Sequence, residues 1–425
     1  MKPNLSRKDF LSLAGSSAAA WTVSPLLSEN YLPRLTFFSP PGQEPQGDVL
    51  VVVFQRGGMD ALNAVIPHFE EEYYRKRSSL AIAEPNSGDD NSGIDLDGQF
   101  GLHPSLRPLK DLWDAQSLAI VHAVGSPDPT HSHFDAMDFM ERGTPGEKSI
   151  STGWLARHLQ TVAWENESPF RAVGIGNMLQ SSLRGPVSAT SMRSIAEFHL
   201  GGSTDSAELL KFQAAVAEMY GQGSMLDPVA NLTLDATGTL TQVIDANYTP
   251  NGGAEYPQSQ FGQALLQVAQ LIKAEVGLEV AAVDIGGWDT HATQGALDGA
   301  MPDLLSDFAN SMAAFYADLG DLTKRVIVVS MSEFGRRLEE NASGGTDHGH
   351  GGVMFVMGNN VNGGKVYGNW PGLAPENLYG PGDLQITTDF RDVLGEIVQT
   401  RLKNDKLSEV FPGYTDYKNL GILKT

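Results

Sequence analysis

Short apolar runs alternate with amphipathic stretches along most of the chain. Six runs have the length and the valine, isoleucine and leucine content of strands that are buried on both faces. These runs are residues 48–54, 118–124, 171–175, 278–284, 325–331 and 353–357. Apolar positions spaced three and four residues apart predict helices between them, most clearly at residues 264–272, 304–319 and 390–402. The alternation predicts an α/β fold with a mostly parallel sheet and helices on both faces.

Two regions interrupt this alternation. Residues 83–101 are rich in Asp, Asn and Gly, and we interpret them as a long surface excursion. Residues 201–256 contain one helical pattern, at 207–220, followed by Thr- and Asn-rich sequence, so they could form an inserted cap or subdomain. Because neither break is sharp, we expect residues 46–425 to form a single α/β domain.

The first 45 residues have the pattern of an export signal and a linker. Basic residues in the segment Ser6–Leu11 precede a mildly apolar, Ala- and Ser-rich stretch that runs to Leu27. The segment resembles a twin-arginine signal, which is read by a translocase for folded proteins, with Lys8 in the place of the second arginine. An amphipathic helix of the mature protein is the alternative. We therefore expect the twin-arginine export machinery as a partner and a periplasmic or extracellular location.

Charge and the absence of cysteine narrow the function classes. The net charge of −22 makes nucleic acid and anionic membranes poor partners. No later apolar run is long enough for stable membrane insertion. Without cysteine the chain has no disulfide, no thiolate nucleophile and no Cys-type zinc site. Any metal site must therefore use Asp, Glu, His, Asn or hydroxyl ligands.

Acidic and histidine side chains gather in the loops next to the predicted strands, where a parallel sheet collects its ligands. The candidate metal ligands are Asp60, Asp289, His291, Glu333, Asp347, His348 and His350. Such side chains suit a divalent metal ion (Zn, Ca, Mg or Mn), and two ions could clamp a phosphate or sulfate ester. Helix capping is the structural alternative for Asp60 and Asp289. For Glu333 it is an ion pair with Arg336 or Arg337.

A hydroxyl nucleophile is predicted where a helix should begin after the second strand. Ser132 would lie in the anion-binding field of that helix N-terminus, and a nearby metal could activate it. Thr130 is its close competitor. A capping box between Ser132 and Asp135 is the structural alternative. His131 and His133 could bind metal or orient the leaving group.

Two arginines are candidate clamps for the oxyanion of an ester. Arg56 and Arg336 both lie in the loops that carry the candidate ligands. A guanidinium group matches phosphate or sulfate oxygens with two parallel hydrogen bonds. Ion pairs with the neighbouring carboxylates are the alternative use of these side chains.

Several of these motifs together resemble the domain-of-unknown-function family 1501, which is often exported by twin-arginine signals. They are Arg56-Gly57-Gly58-Met59-Asp60, Ser132-His133-Phe134-Asp135, Gly153-Trp154-Leu155, Gly287-Trp288-Asp289-Thr290-His291, Ser332-Glu333-Phe334-Gly335-Arg336 and Gly345-Thr346-Asp347-His348-Gly349. The motifs span nearly the whole mature chain. The activity of that family is unsettled, so the resemblance by itself implies little chemistry.

More distantly, the order of the motifs is similar to the alkaline phosphatase and sulfatase superfamily. This similarity implies an alkaline phosphatase/sulfatase-like fold with the first acid at Asp60 and the nucleophile at Ser132 or Thr130. It also implies an Asp/His loop at Asp289 and His291.

The same similarity leaves two positions for an Asp-His pair. By strand position the pair would be Glu333-Phe334, in which Phe334 cannot ligate. By local sequence it would be Asp347-His348, with His350 as the last histidine. The formylglycine motif of sulfatases does not occur around Ser132.

Two functions from different classes follow. The first is an exported metal-dependent hydrolase of phosphate or sulfate esters, acting on a small-molecule or polysaccharide ester. The second is an exported metal-holding binding or scaffold protein on an inactive hydrolase fold. A carbohydrate-binding module has weaker support, because the six tryptophans are scattered.

Overall fold

The computed structural model describes residues 47–89, 91–162, 166, 168–195, 211, 215, 236 and 248–424. The predicted export signal lies outside the described residues, as does most of the predicted insertion with its helix at 207–220. Among the described residues, no helix combines the length and the apolar character needed to cross a bilayer.

The six apolar runs all form strands. The fourteen strands of the described residues are β1 (Val49–Arg56), β2 (Val65–Pro67), β3 (Ile94–Asp95), β4 (Phe100–Leu102), β5 (Leu118–Gly125), β6 (Ala172–Ile175), β7 (Thr190–Met192), β8 (Val280–Gly286), β9 (Val326–Met331), β10 (Arg336–Glu340), β11 (Thr346–His348), β12 (Gly352–Met357), β13 (Lys365–Tyr367) and β14 (Thr388–Asp389). The predicted runs correspond to β1, β5, β6, β8, β9 and β12, so these predictions are confirmed.

Nine of these strands build one central sheet. Its order is β13-β5-β12-β9-β1-β8-β6-β7, and β14 pairs with β5. Neighbouring strands are parallel except at β12, which runs antiparallel to both β5 and β9. The expectation of a mostly parallel sheet is therefore confirmed.

Helices cover both faces of this sheet. The helices of the described residues are α1 (Ala61–Ala64), α2 (Glu71–Lys76), α3 (Lys110–Asp114), α4 (His133–Arg142), α5 (Trp154–Thr161), α6 (Gln260–Lys273), α7 (Ala300–Leu319), α8 (Phe390–Thr400) and α9 (Leu407–Val410). Alternate residues of β1 enter opposite cores: Val51 packs with the α6 and α7 side, and Leu50 with the α5 and α8 side. A strand buried on both faces explains the uninterrupted apolar run in this part of the sequence.

The reversed direction of β12 decides where its preceding loop lies. The carboxyl ends of β1, β5, β8 and β9 share one edge of the sheet, and the antiparallel β12 begins at that same edge. The loop before β12 contains the hairpin of β10 and β11 and the sequence Asp347–His350. A parallel sixth strand would have placed this loop at the opposite edge, away from Asp289.

The region 83–101 differs in part from the expected surface excursion. It contains β3 and the first residues of β4, and both strands belong to a small sheet with β2. These strands are two and three residues long. Strands this short do not show the period-two alternation that sequence reasoning needs.

Candidate metal centre

Three imidazoles surround one carboxylate oxygen at the carboxyl edge of the sheet. The Oδ1 atom of Asp289 lies 3.1 Å from Nε2 of His348, 3.1 Å from Nε2 of His291 and 3.3 Å from Nε2 of His133. The Nε2 atoms of His291 and His348 are 2.8 Å apart. Four groups capable of binding metal therefore face a single point.

Each of these imidazoles has its other nitrogen against an oxygen acceptor. Nδ1 of His133 lies 2.7 Å from Oε1 of Glu333, and Nδ1 of His291 lies 3.2 Å from Oδ1 of Asp347. Nδ1 of His348 lies 2.9 Å from the carbonyl oxygen of His131. A proton on each Nδ1 satisfies these contacts and leaves all three Nε2 lone pairs directed at the centre. Metal-bound histidines in proteins are held in this way.

The distances fit a divalent cation. In a tetrahedral site with metal–nitrogen bonds of about 2.1 Å, neighbouring ligand atoms are roughly 3.4 Å apart. The ligand atoms of His133, Asp289 and His348 all lie within 4.8 Å of one another. In addition, the buried Nε2 of His133 has no hydrogen-bond partner among the described residues. The donor set and its spacing therefore suit a metal such as Zn²⁺.

The charged groups around the centre also favour a bound divalent cation. The carboxylates of Glu333 and Asp347 contact the imidazoles of His133 and His291, and that of Asp289 pairs with the guanidinium of Arg336. Burial raises the pKa of Asp289, but its neighbouring hydrogen-bonding and cationic groups, Arg336 first among them, outweigh this effect and lower it to about 2. The hydrogen bond from Asn341 lowers the pKa of Asp347. A divalent cation would interact favourably with these three carboxylates.

Arg336 holds the loops of the site together through hydrogen bonds within the protein. Its guanidinium is buried and donates to the carbonyl oxygens of Gly57, Gly58, Trp288 and Thr346, and to Oδ1 of Asp289. These bonds join the loops after β1 and β8 to β11. Because these hydrogen bonds are made within the protein, the oxyanion-clamp role of Arg336 stays a prediction.

Arg56 is also engaged inside the protein. Its guanidinium lies 3.2 Å from Oε2 of Glu141 on α4 and 2.8 Å from Oδ1 of Asp284 on β8. Because two carboxylates contact this guanidinium, the oxyanion-clamp role of Arg56 also stays a prediction. Ion pairing was the structural alternative for both arginines.

Asp60 caps a helix, which is the structural role given above as the alternative to metal binding. Its side chain caps α1 by accepting from the backbone N–H of Leu62. Its oxygens lie 2.6 and 3.0 Å from the guanidinium of Arg77, and Gln294 donates to one of them at 2.7 Å. Because this buried carboxylate is fully hydrogen-bonded, we leave Asp60 out of the proposed ligand set.

His350 is separated from the centre. Its ring stacks on Tyr379 with the ring centroids 4.4 Å apart, and burial lowers its pKa to about 4. Glu333 and Asp347 stand behind His133 and His291 as hydrogen-bond acceptors. Glu333 also accepts from the backbone N–H of Gly57 at 2.8 Å, and no arginine of the described residues pairs with it. The structure thus brings together Asp289, His291 and His348, and adds His133.

The helix start at residue 132 differs from a capping box. Ser132 is the N-cap of α4 but makes no side-chain cap hydrogen bond, and Asp135 pairs with Lys148 at 2.7 Å. Thr130 Oγ1 accepts the backbone N–H of Ser132 at 3.2 Å. Ser132 is exposed and stands between His131 and His133, both of which contact the site.

Two residues that contact the site region lie in irregular loops, and the sequence does not indicate them. Asn341 donates to Oδ1 of Asp347 at 3.0 Å and to the carbonyl oxygen of His291 at 2.9 Å. Asp383 lies 3.3 Å from Nε2 of His131. Both residues stand among turn-forming glycine, proline or serine neighbours, which predict a loop and carry no signal for a site.

The protein has a mostly parallel α/β sheet with a cluster of histidine and aspartate side chains at its carboxyl edge. Residues 48–403 match the family described as "Protein of unknown function (DUF1501)", and the chain belongs to this family. No curated protein matches the chain.

Several solved structures are similar to the chain at low identity. Ps i-CgsB in complex with k-i-k-neocarrahexaose is 9% identical, with a TM-score of 0.35 over 88% of this chain and 76% of that one. The lipoteichoic acid synthase LtaP from Listeria monocytogenes is 8% identical, with a TM-score of 0.32 over 74% and 66%. Alkaline phosphatase from the Antarctic bacterium TAB5 is 8% identical, with a TM-score of 0.29 over 74% and 92%. At these scores the likenesses carry no argument about chemistry.

Proposed function

We propose that the chain is an exported hydrolase of phosphate or sulfate esters that depends on a divalent metal held by His133, Asp289, His291 and His348. The observation that carries the proposal is the shared orientation of three imidazoles. Each has Nδ1 on an oxygen acceptor and Nε2 directed at Oδ1 of Asp289. A purely structural polar cluster does not require this common orientation.

The residues around the centre would have three roles, which are metal binding, orientation of the ligands and nucleophilic attack. A metal at this centre supplies a Lewis acid that draws charge from an ester oxygen. His133, Asp289, His291 and His348 would hold it. Glu333 and the carbonyl of His131 would fix the orientation of His133 and His348. Ser132 is the candidate nucleophile, because it is exposed beside His133 while the Thr130 hydroxyl already accepts a hydrogen bond.

One observation favours the alternative of a metal-holding binding or scaffold protein. Both predicted oxyanion clamps, Arg56 and Arg336, are committed to internal partners. With these two guanidinium groups engaged, a centre that holds metal would have less stabilisation for an ester oxyanion, which suits a binding role. The proposed substrate remains a small-molecule or polysaccharide ester.

Elemental analysis tests whether the purified protein contains a divalent metal ion. We expect purified wild-type protein to carry about one divalent ion per chain and the His348→Ala variant to lose it, with His350→Ala as the matched control that retains it. Equal metal content in both variants would refute the site. Metal without turnover of aryl phosphates or aryl sulfates would favour the binding or scaffold alternative.

Export by the twin-arginine machinery is part of the same proposal and is tested separately. Residues 1–45 fused to a reporter should direct it to the periplasm, and replacing Arg7 and Lys8 together should keep it in the cytoplasm. Cytoplasmic retention of the unmodified fusion would contradict the proposal.

A further inference from the structure

A buried carboxylate near the proposed metal centre accepts no hydrogen bond within the described part of the chain. Asp383 is wholly buried, and neither of its oxygens accepts a hydrogen bond within the described residues. The cationic or imidazole groups near it are Nε2 of His131, at 3.3 Å from Oδ2, and Nε of Arg337, at 3.6 Å from Oδ1. Burial of this kind is unfavourable for a carboxylate, and it raises the pKa of Asp383.

The backbone around Asp383 fixes this carboxylate in place. Asp383 and Tyr379 exchange two backbone hydrogen bonds of 2.9 Å each, and Asp383 also forms a bridge with Arg337 of β10. The adjacent carbonyl of Leu384 accepts from the backbone N–H of Gly351 at 2.8 Å. Asp383 is therefore attached on both sides to segments that carry the site.

His131 connects Asp383 to a proposed metal ligand. The side chain of His131 faces Asp383, while its carbonyl oxygen lies 2.9 Å from Nδ1 of His348. This carbonyl contact keeps the proton of His348 on Nδ1 and leaves Nε2 free to bind a metal. A group that holds His131 in place thus also sets the orientation of His348.

We propose that Asp383 is a positioning residue for the metal centre, acting on His348 through His131. The proposal rests on the proposed metal centre, and it adds a residue that touches none of the four ligands. Contacts of this indirect kind change metal affinity in proteins by about 10- to 100-fold when they are removed.

The test uses the full-length protein and Co²⁺ as the probe. We expect Asp383→Asn, which keeps the shape of the side chain, to raise the Co²⁺ dissociation constant by about tenfold and to change the visible absorption of bound Co²⁺. The matched control is Asp318→Asn, which replaces another buried aspartate, one bound by Tyr248, Tyr256 and Lys273. This control should leave both readouts as in the wild type.

A double-variant comparison isolates the route through His131. If Asp383 acts through His131, adding Asp383→Asn to His131→Ala should produce no further loss of Co²⁺ affinity. Additive losses, or an unchanged affinity and spectrum in Asp383→Asn, would overturn the inference while leaving the metal centre intact. Failure of the wild-type protein to bind Co²⁺ would instead refute the metal centre and this inference with it.

Discussion

Individual side chains in this protein show why a motif predicts a site better than it predicts a role. Glu333 follows β9 and was expected to ligate, yet its carboxylate contacts Nδ1 of His133 and the backbone N–H of Gly57. Asp60 has the same kind of position after β1, yet it is neutralised by Arg77. Arg77 lies in no recognisable motif. The role of each acid is decided by long-range partners that local sequence does not reveal.

The contact between Glu333 and His133 leads to a prediction for metal affinity. Glu333→Gln removes the negative charge behind the imidazole and should weaken Zn²⁺ binding by roughly 10- to 100-fold, as measured by competition with a chromophoric chelator. Glu339→Gln, at an exposed glutamate that pairs with Lys76, is the control and should bind as the wild type does. Equal affinities for the two variants would show that Glu333 does not support the centre.

At the scale of elements, sequence patterning predicts the strands of the sheet interior and little of its margins. The six buried strands were predictable because both of their faces are apolar. The hairpin of β10 and β11 was not, because its residues are polar and its two strands are only five and three residues long. This hairpin carries Asp347 and His348, and its position depends on the antiparallel β12.

Close approach between this hairpin and the loop after β8 gives a second prediction. A Cβ atom on Gly345 would lie 2.4 Å from backbone atoms of Thr290 and His291, so Gly345→Ala must push the two segments apart. We expect a loss of about 1–3 kcal/mol in the free energy of unfolding, together with weaker metal binding. Both are measured by denaturant titration and metal titration.

The adjacent glycine provides the control for this variant. A Cβ on Gly344 would meet open space, although its φ of +68° disfavours alanine. Gly344→Ala should therefore cost about 1 kcal/mol of stability and leave metal affinity unchanged. Weaker metal binding in Gly344→Ala, or unaltered binding in Gly345→Ala, would contradict the role given to this contact.

For the whole molecule, the sequence predicts a mostly parallel sheet with an apolar core on each face. It predicts only part of the set of residues that meet at the site. Topology brings Asp289, His291 and His348 together because β8 ends, and the loop before β12 lies, at the same edge of the sheet. His350 lies two residues after His348, but its ring stacks on Tyr379. Spacing along the chain does not determine which way each side chain turns.

The pH dependence of global stability is the last prediction, and it rests on two imidazoles in the core. Burial lowers the pKa of His122 to about 4 and that of His158 to about 3. Both rings use one nitrogen as an acceptor, from the backbone N–H of Ala123 at 2.8 Å and from Asn404 at 3.1 Å. Protonation would break these hydrogen bonds.

Because both folded-state pKa values lie below the unfolded value of about 6.5, the unfolded chain binds more protons between these limits. Stability should therefore be fully present above about pH 6.5 and should fall as the pH decreases toward 4 and 3. At pH 5 each residue should account for about 2 kcal/mol of lost stability, since one pKa unit corresponds to about 1.4 kcal/mol.

Urea titrations in the presence of a chelator measure the pH dependence of the free energy of unfolding without a contribution from bound metal. The variant with His122→Gln and His158→Gln together should be less stable at pH 7 and should lose less stability on acidification than the wild type. An equal acid dependence in the two proteins would mean that other groups control it.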